Sequence, residues 1–164
     1  MVGGTGNDGY YVSNADDIVV ELSSGGTDRI NSQISIDLNK PGGVYSNIEN
    51  IILRGSSNLT AYGTFTDNNI TGNSGINILS GRLGNDNLAG GSGADTFIFS
   101  KNYDHDAITD FENNVDTIRL LNFGVTTFSQ ARAYATQDGA NVVFDFGDGD
   151  ILTVRNTTIN VSGV

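Results

Sequence analysis

The chain has 164 residues, no cysteine and a formal net charge of −11, with 19 acidic residues against 8 basic ones. This length suits one domain or two very small ones. The acidity excludes a nucleic-acid binder with a basic surface and argues against an anionic membrane surface as partner. The lack of cysteine leaves no disulfide and no thiolate metal site. A single histidine, His105, argues against a histidine-rich metal centre or a serine–histidine triad, and no apolar run is long enough to span a membrane.

The polar composition is biased toward turn-forming residues. Glycine (22 residues), asparagine (20) and aspartate (16) make up about a third of the chain, whereas glutamate occurs three times. These residues form helices poorly and turns well, so the composition predicts many turns joined by short strands in an all-β chain. The 37% of hydrophobic residues argues against disorder.

The N-terminal segment starts with the turn sequence GGTGND at Gly3–Asp8. Two apolar or alternating runs follow, at Ile18–Leu22 and Ile30–Leu38, and we expect each to form a longer strand. Predicted turns at 13–17, 23–28 and 39–44 separate these strands.

Acidic residues recur along this segment at nearly constant intervals. Asp28 lies 20 residues after Asp8, and Glu49 lies 21 residues after Asp28. Such spacings suit a solenoid whose coils are slightly longer than 18 residues.

Residues 63–98 divide without a gap into four nonapeptides: GTFTDNNIT, GNSGINILS, GRLGNDNLA and GGSGADTFI. Position one is always glycine: Gly63, Gly72, Gly81 and Gly90. Position six is always Asn or Asp: Asn68, Asn77, Asp86 and Asp95. Position eight is always apolar: Ile70, Leu79, Leu88 and Phe97. Six glycine-rich residues make a turn, and three more make a short strand whose middle side chain points inward.

Two such units form one coil of 18 residues, so turns two repeats apart stack on the same edge. Stacking brings together successive position-six side chains and the carbonyl groups of the turns. Hard cations such as Ca²⁺ prefer such an oxygen-only cage. A metal-free solenoid with an Asn ladder is the alternative, and it has most weight at the edge that holds Asn68 and Asn77.

These nonapeptides resemble the RTX (repeats-in-toxin, hemolysin-type) calcium-binding repeat GGxGxDxUx. The turn at 90–95 matches fully, the turn at 81–86 departs from it at Arg82, and the two earlier units are degenerate. The resemblance implies a right-handed parallel β-roll with calcium in its turns and a β-rich C-terminal cap.

The N-terminal segment resembles a longer repeat of secreted RTX proteins, through Gly3–Asp8, Tyr11–Val12, Asn14–Asp17, Gly26–Asp28 and Glu49–Asn50. This resemblance implies calcium between the turns of Asp8 and Asp28. Glu49 is either a third rung of the same stack or a solvated or capping carboxylate.

Residues 104–120 resemble the segment that closes the β-roll in serralysin-type metalloproteases and related RTX proteins. The resemblance implies that Asp110 caps the edge begun by Asp95. It also implies that Asp104 or Asp106 caps the edge begun by Asp86. Asp116 either joins an edge or holds a turn.

After residue 125 the pattern changes to that of a cap. Residues 126–137 predict a short helix with Ser129 as a possible N-cap, and residues 141–154 predict a β-hairpin around a Gly/Asp turn. We expect Asp148 and Asp150 to be turn formers. The predicted domains are a β-roll over 1–125 (longer coils 3–62, nonapeptides 63–98, closing segment 99–125) and a cap over 126–164.

The predicted calcium ligands supply carbonyl or side-chain oxygens from the turns. They are Gly4, Gly6, Asp8, Gly26, Asp28, Asn68, Asn73, Gly75, Asn77, Gly81, Gly84, Asp86, Gly90, Gly91, Gly93, Asp95, Asp104, Asp106 and Asp110. Pairing of the turns suggests about five Ca²⁺ ions, which would bring the charge from −11 to about −1.

No catalytic constellation is recognisable, so the sequence predicts a non-catalytic module. The RTX resemblance implies a secreted bacterial protein that folds on meeting extracellular calcium after export by a type I secretion apparatus. A calcium-dependent polysaccharide-binding module, like the accessory modules of mannuronan C-5-epimerases, is the alternative. It would be favoured by an exposed strip that includes Tyr10, Tyr11, Tyr45, Tyr62 and Tyr103, although aromatic filling of the core is the preferred interpretation of these residues. A small enzyme is the least favoured hypothesis.

Overall fold

The computed structural model describes residues 1–41 and 45–158. The end of the predicted turn at 39–44 and the last residues of the predicted cap therefore lie outside the described residues. The described part contains one short helix, α1 at Phe128–Arg132, and sixteen strands. The strands are β1 Gly9–Val12, β2 Val19–Val20, β3 Arg29–Ser32, β4 Ile36–Asp37, β5 Tyr45–Ser46, β6 Asn50–Leu53, β7 Thr60–Tyr62, β8 Asn69–Thr71, β9 Ile78–Ser80, β10 Asn87–Ala89, β11 Thr96–Ser100, β12 His105–Ile108, β13 Thr117–Leu121, β14 Ala135–Asp138, β15 Asn141–Asp145 and β16 Ile151–Val154.

From β6 to β13 successive strands alternate between two sheets. One sheet has the order β1-β3-β6-β8-β10-β12-β16-β15-β14, the other has the order β13-β11-β9-β7-β4, and β2 pairs with β5. The pairs from β1 to β12 and all pairs of the second sheet are parallel. A chain that returns in parallel to each of two facing sheets forms a solenoid, which confirms the predicted parallel β-roll.

The register confirms the coil lengths predicted from the spacing. Asn69 of β8 pairs with Asn87 of β10, and Ile78 of β9 pairs with Thr96 of β11, so each of these coils has 18 residues. At the N-terminal end Gly9 pairs with Arg29, which makes a longer coil of 20 residues.

The core consists of two columns of apolar side chains, one on each sheet, and the side chains of each column are stacked in register between the sheets. In the first sheet the column contains Tyr10, Ile30, Ile51, Ile70, Leu88, Ile108 and Val154, all of them buried. In the second sheet Ala61, Leu79 and Phe97 stack in the same way. All four position-eight residues are therefore interior, as the repeat predicted.

Two N-terminal strand predictions were wrong in extent. The run Ile30–Leu38 forms two short strands, β3 and β4, because the chain turns between them. Ser32 Oγ donates to Ile34 O and accepts from Ile34 N at 2.7 and 3.1 Å, which fixes this turn. In the run Ile18–Leu22 only Val19 and Val20 are paired as a strand.

The cap contains the predicted hairpin, since β15 and β16 pair antiparallel, and β16 also pairs parallel with β12. The predicted helix is shorter than expected, and Ser129 is not its N-cap. Thr127 caps α1 in a capping box with Gln130. The end of the predicted helix forms β14 instead, which pairs antiparallel with β15.

An aromatic cluster closes the roll at this end. Phe123 stacks on Phe146 with ring centroids 4.1 Å apart, and Phe99 stacks on Phe123 at 5.6 Å. Tyr103 meets Phe99 edge to face. Tyr103, Phe123 and Phe146 are partly buried and pack against the core beside Phe99 of β11.

Leu79 and Ile78 test the column because they are neighbours on β9 that face opposite ways. Leu79 is fully buried and Ile78 is 38% exposed. We expect Leu79→Ala to lower the free energy of unfolding by about 2–5 kcal/mol, because it leaves a cavity in the column. Ile78→Ala should cost less than about 1 kcal/mol. Urea denaturation in saturating Ca²⁺ measures both, and equal costs would contradict the assigned interior.

Candidate metal centre in the turns

Side-chain oxygens of position six connect each coil to the one before it. Asn68 N donates to Asp86 Oδ1 at 2.7 Å, and Asp86 N donates to Asp106 Oδ1 at 3.1 Å. On the opposite edge Asn77 N donates to Asp95 Oδ1 at 2.7 Å. Each carboxylate thus has one oxygen fixed by the backbone of the preceding coil.

The same ladder extends to the N-terminal coils. Asp8 N donates to Asp28 Oδ1, and Asp28 N donates to Glu49 Oε2, both at 2.7 Å. Of the two roles considered for Glu49, the structure therefore shows a rung of the stack. Sequence spacing alone left this open because Glu49 follows Asp28 by 21 residues, whereas the nonapeptides repeat every 18.

The closing segment places four aspartates against the last turns. Asp106 and Asp104 both contact the turn of Asp86, since Asp104 Oδ2 accepts from Gly84 N at 3.1 Å. Asp110 accepts from Gly90 N and Gly91 N at 2.8 and 2.9 Å. Asp116 is the residue that follows Asp95 in the ladder, because its Oδ1 accepts from Asp95 N at 2.9 Å.

The second oxygen of three ladder carboxylates is buried and has no hydrogen-bond partner. These atoms are Asp86 Oδ2, Asp95 Oδ2 and Asp106 Oδ2. A buried carboxylate oxygen without a donor is costly unless a cation compensates it. The three orphaned oxygens are therefore the observation that fits a metal ion best.

Burial also changes how these groups ionise. Burial raises the pKa of Asp95 to about 6, and repulsion from Asp116 and Asp110 adds to the effect. Burial likewise raises the pKa of Asp106 and of Asp86, and the charge of Asp86 raises that of Asp106 further. A bound cation has the opposite effect, because it favours the charged carboxylate.

Position one must be glycine because the position-six carboxylate of the same turn lies directly over it and leaves no room for a Cβ. A Cβ on Gly81 would lie 1.9 Å from Asp86 Oδ2, and a Cβ on Gly90 would lie 2.4 Å from Asp95 Oδ2. On Gly72 it would lie 2.1 Å from Gly90 O, the carbonyl of the next turn. Side-chain and carbonyl oxygens thus converge in the turns, and this donor set suits Ca²⁺.

The two degenerate turns have amides where the later turns have carboxylates. Asn77 Oδ1 accepts from Asn73 N at 2.7 Å, and its amide group donates to Asn73 Oδ1 at 3.0 Å. Asn68 donates to Ile48 O and Glu49 O. Asn68 and Asn77 lie on opposite edges of the roll rather than on one edge. Both amides find partners within the protein, so calcium in these two turns stays a prediction, and the metal-free Asn ladder stays its alternative.

The remaining predicted glycines lie in the stacked turns. A Cβ would meet a carbonyl oxygen of the adjacent turn at Gly26 (Gly6 O, 2.3 Å), Gly75 (Ser57 O, 2.5 Å), Gly91 (Asn73 O, 2.3 Å) and Gly93 (Gly75 O, 2.5 Å). A Cβ on Gly4 would contact nothing within 4 Å.

Asp150, expected to form a turn, is buried and accepts from Tyr103 N, whereas Asp148 is exposed and pairs with Lys101.

Arg82 replaces the second consensus glycine and keeps the left-handed conformation, with φ of +78°. Its guanidinium donates to both oxygens of Asp37, at 2.8 and 2.9 Å, and to Gly63 O at 3.0 Å. It also lies over the ring of Tyr62. At this departure from the consensus, the guanidinium cation of Arg82 therefore lies against Gly63 O, the first carbonyl of the neighbouring turn.

The fold and the turns together define the class of calcium-binding β-roll. Residues 62–97 match the family described as "RTX calcium-binding nonapeptide repeat (4 copies)". The chain thus carries RTX repeats, which confirms the resemblance stated from the sequence, and RTX repeats bind calcium.

Two relatives share nearly the whole chain. The chain is 39% identical over 158 residues to the endo-1,3-1,4-beta-glycanase ExsH of Rhizobium meliloti (strain 1021). It is 34% identical over 158 residues to the endo-1,3-1,4-beta-glycanase EglC of the same organism. Each alignment covers 96% of this chain but 32% of the relative, so the chain spans about a third of the length of these proteins.

Asp106→Asn tests the ladder at the turn of Asp86, which Asp104 and Asp106 both contact. Removing one carboxylate charge should weaken calcium binding at the turn of Asp86 by about tenfold or more, since affinity follows the charge of the ligand set. Isothermal titration calorimetry measures the effect. Asp138→Asn, in the exposed part of the cap, is the matched control, and indistinguishable isotherms for the two variants would contradict the assignment.

Substitutions at Arg82 separate its side-chain contacts from its backbone strain. Both Arg82→Ala and Arg82→Gly lose the pairing with Asp37, which is partly exposed and therefore worth about 1 kcal/mol or less. Only glycine adopts the left-handed backbone freely, so Arg82→Gly should be more stable than Arg82→Ala by about 1 kcal/mol. Urea denaturation in saturating Ca²⁺ compares them, and the reverse order would contradict this explanation.

Proposed function

We propose that this chain is the calcium-dependent folding module of a secreted bacterial protein. The buried, unpartnered oxygens of Asp86, Asp95 and Asp106 carry this proposal. Without a cation, the folded roll must bury three carboxylates whose second oxygen has no donor. With calcium in the turns, the same oxygens become ligands and the folded state is favoured.

The protein's own cations do not neutralise the ladder. Among residues 1–41 and 45–158 the ion pairs are Arg82–Asp37 and Lys101–Asp148, and neither includes a ladder carboxylate. The net charge of −11 adds general repulsion. The folded roll therefore depends on cations from outside the chain.

This dependence suits export in an unfolded state. RTX repeats are typical of secreted proteins. As a separate finding, the described residues include no helix long and apolar enough to cross a membrane. A cytosol low in calcium keeps the chain loose during passage through a type I apparatus. Extracellular calcium, at about millimolar concentration, then fills the turns.

The two relatives support an accessory role for this chain beside a glycan-degrading enzyme. The relatives are named endo-glycanases, and this chain corresponds to about a third of each. We propose that the module does not catalyse glycan cleavage itself. The aspartates that could serve as general acid or base, Asp86, Asp95 and Asp106, each accept a hydrogen bond from a backbone N–H group of the ladder.

A polysaccharide-binding module is the second candidate, favoured by the named activity of the relatives. The tyrosines give it little support. Of the five tyrosines of the predicted strip, Tyr10 and Tyr45 are buried, Tyr103 packs on Phe99, Tyr62 is half-buried under Arg82, and Tyr11 is exposed, at 74%. Retardation of the chain in gels containing a β-1,3-1,4-linked glycan, with Ca²⁺ and with EGTA, tests this candidate.

Circular dichroism during a Ca²⁺ titration tests the folding proposal directly. We expect a cooperative rise in β signal with Ca²⁺, reversal by EGTA, and no comparable rise with Mg²⁺, which demands a more rigid octahedral site. A chain that is fully folded in EGTA, with unchanged spectrum and unchanged resistance to urea after calcium addition, would overturn it.

A further inference from the structure

Glu21 lies in the first coil, directly after β2, and sequence reasoning did not select it as a ligand. Its side chain is 4% exposed. One oxygen each from Asp8, Glu21 and Asp28 lie within 4.8 Å of one another. Three carboxylates thus converge where the RTX pattern supplies two.

The cluster contains two buried polar atoms that no protein group satisfies. Glu21 Oε1 and Tyr10 OH are both buried and lack a hydrogen-bond partner. Both atoms lie over Gly3, where a Cβ would be 1.7 Å from Glu21 Oε1 and 2.0 Å from Tyr10 OH. Glu21 Oε1 is therefore held inside the protein over the first glycine of the Asp8 turn, and one oxygen of the same carboxylate lies within 4.8 Å of those of Asp8 and Asp28.

Glu21 takes the place that a position-six aspartate takes in the nonapeptides. In those turns the orphaned oxygens of Asp86 and Asp95 lie over the first glycine, Gly81 or Gly90. In the first turn the oxygen over Gly3 comes instead from Glu21, which follows β2 and begins the turn that stacks on the first one. The glutamate is long enough to reach across from there.

Backbone carbonyls complete an oxygen-lined space beside this cluster. The position of a Cβ on Gly25 is 3.0 Å from Gly4 O and 3.1 Å from both Glu21 Oε2 and Leu22 O. The amino group of Met1 donates to Ile18 O, and no ion pair of the described residues includes Asp8, Glu21 or Asp28. The three carboxylates therefore have no protein cation as partner.

We propose that Glu21 is a third carboxylate ligand, with Asp8 and Asp28, of a hard-cation site in the first coil. This inference rests on the proposed function, because it requires that the chain binds calcium. Among the described residues these are the three carboxylates whose oxygens all lie within 4.8 Å of one another, and such a set binds Ca²⁺ more tightly than turns where fewer carboxylates converge, since affinity rises with ligand charge. This site fills first and orders the end of the roll where β1 has a single neighbouring strand.

Calorimetry of the full chain with Ca²⁺ gives the first test. Glu21→Gln keeps the shape and an oxygen but removes the charge, so the tightest binding event should weaken by about tenfold or more. Asp138→Asn, which also removes one carboxylate, is the control and should leave that event unchanged. Circular dichroism in saturating Ca²⁺ checks that both variants reach the β-rich fold.

Terbium luminescence gives a second test that does not rely on Glu21→Gln folding. Tb³⁺ is a hard cation that replaces Ca²⁺, and a tyrosine close to it sensitises its emission. The first equivalent of Tb³⁺ should luminesce on excitation of tyrosine in the wild-type chain. Tyr10→Phe should lose most of that signal, whereas Tyr11→Phe, on the adjacent exposed side chain, should keep it.

The outcomes separate this inference from the proposed function. If the wild-type chain binds no calcium, the proposed function fails together with the inference. If the wild type binds calcium and Glu21→Gln keeps the tightest event unchanged, the inference alone is overturned. First-equivalent Tb³⁺ emission that survives Tyr10→Phe overturns it as well.

Discussion

The structure depends on carboxylates that are buried in the turns with one oxygen hydrogen-bonded and the other unpaired. The bonded oxygen takes a backbone N–H of the preceding coil, as Asp86 does with Asn68 and Asp95 does with Asn77. This bond links consecutive turns and leaves the second oxygen buried over the first glycine of its own turn. The glycines at position one follow from this arrangement, and so does the proposal that a cation compensates the unpaired oxygens.

The sequence predicted the regular part of the fold because its period was visible. Gly at position one and an apolar residue at position eight recur every nine residues, and Leu79 and Phe97 lie in register as the period requires. The N-terminal coils were harder, because longer coils let the chain turn where the hydrophobic pattern continues, as between Ile30 and Ile36. The turn depends on Ser32 Oγ, which no periodicity reveals.

The hydrogen-bonded ladder follows the predicted position-six residues where the repeat is regular, and spacing was a weaker guide outside the repeat. Asp116 follows Asp95 by 21 residues and Glu49 follows Asp28 by 21, so spacing gave neither a definite role. Glu21 was missed altogether, because it joins Asp8 and Asp28 only through the stacking of two turns. Ser129 failed as N-cap because Thr127 has Gln130 three residues later, a capping-box signal that was present in the sequence.

The stacking of one coil on the next makes the roll a nearly one-dimensional array, in which each coil contacts mainly its two neighbours. The two ends of that array are unequal. At the C-terminal end of the described roll β12 pairs with β16, and aromatic rings pack on Phe99 beside the last coil. At the N-terminal end the described partner of β1 is β3, and Val2 and Tyr11 are exposed. A cation bound by Glu21, as proposed, would therefore order the first coil, whereas packing against β16 and the rings orders the last one.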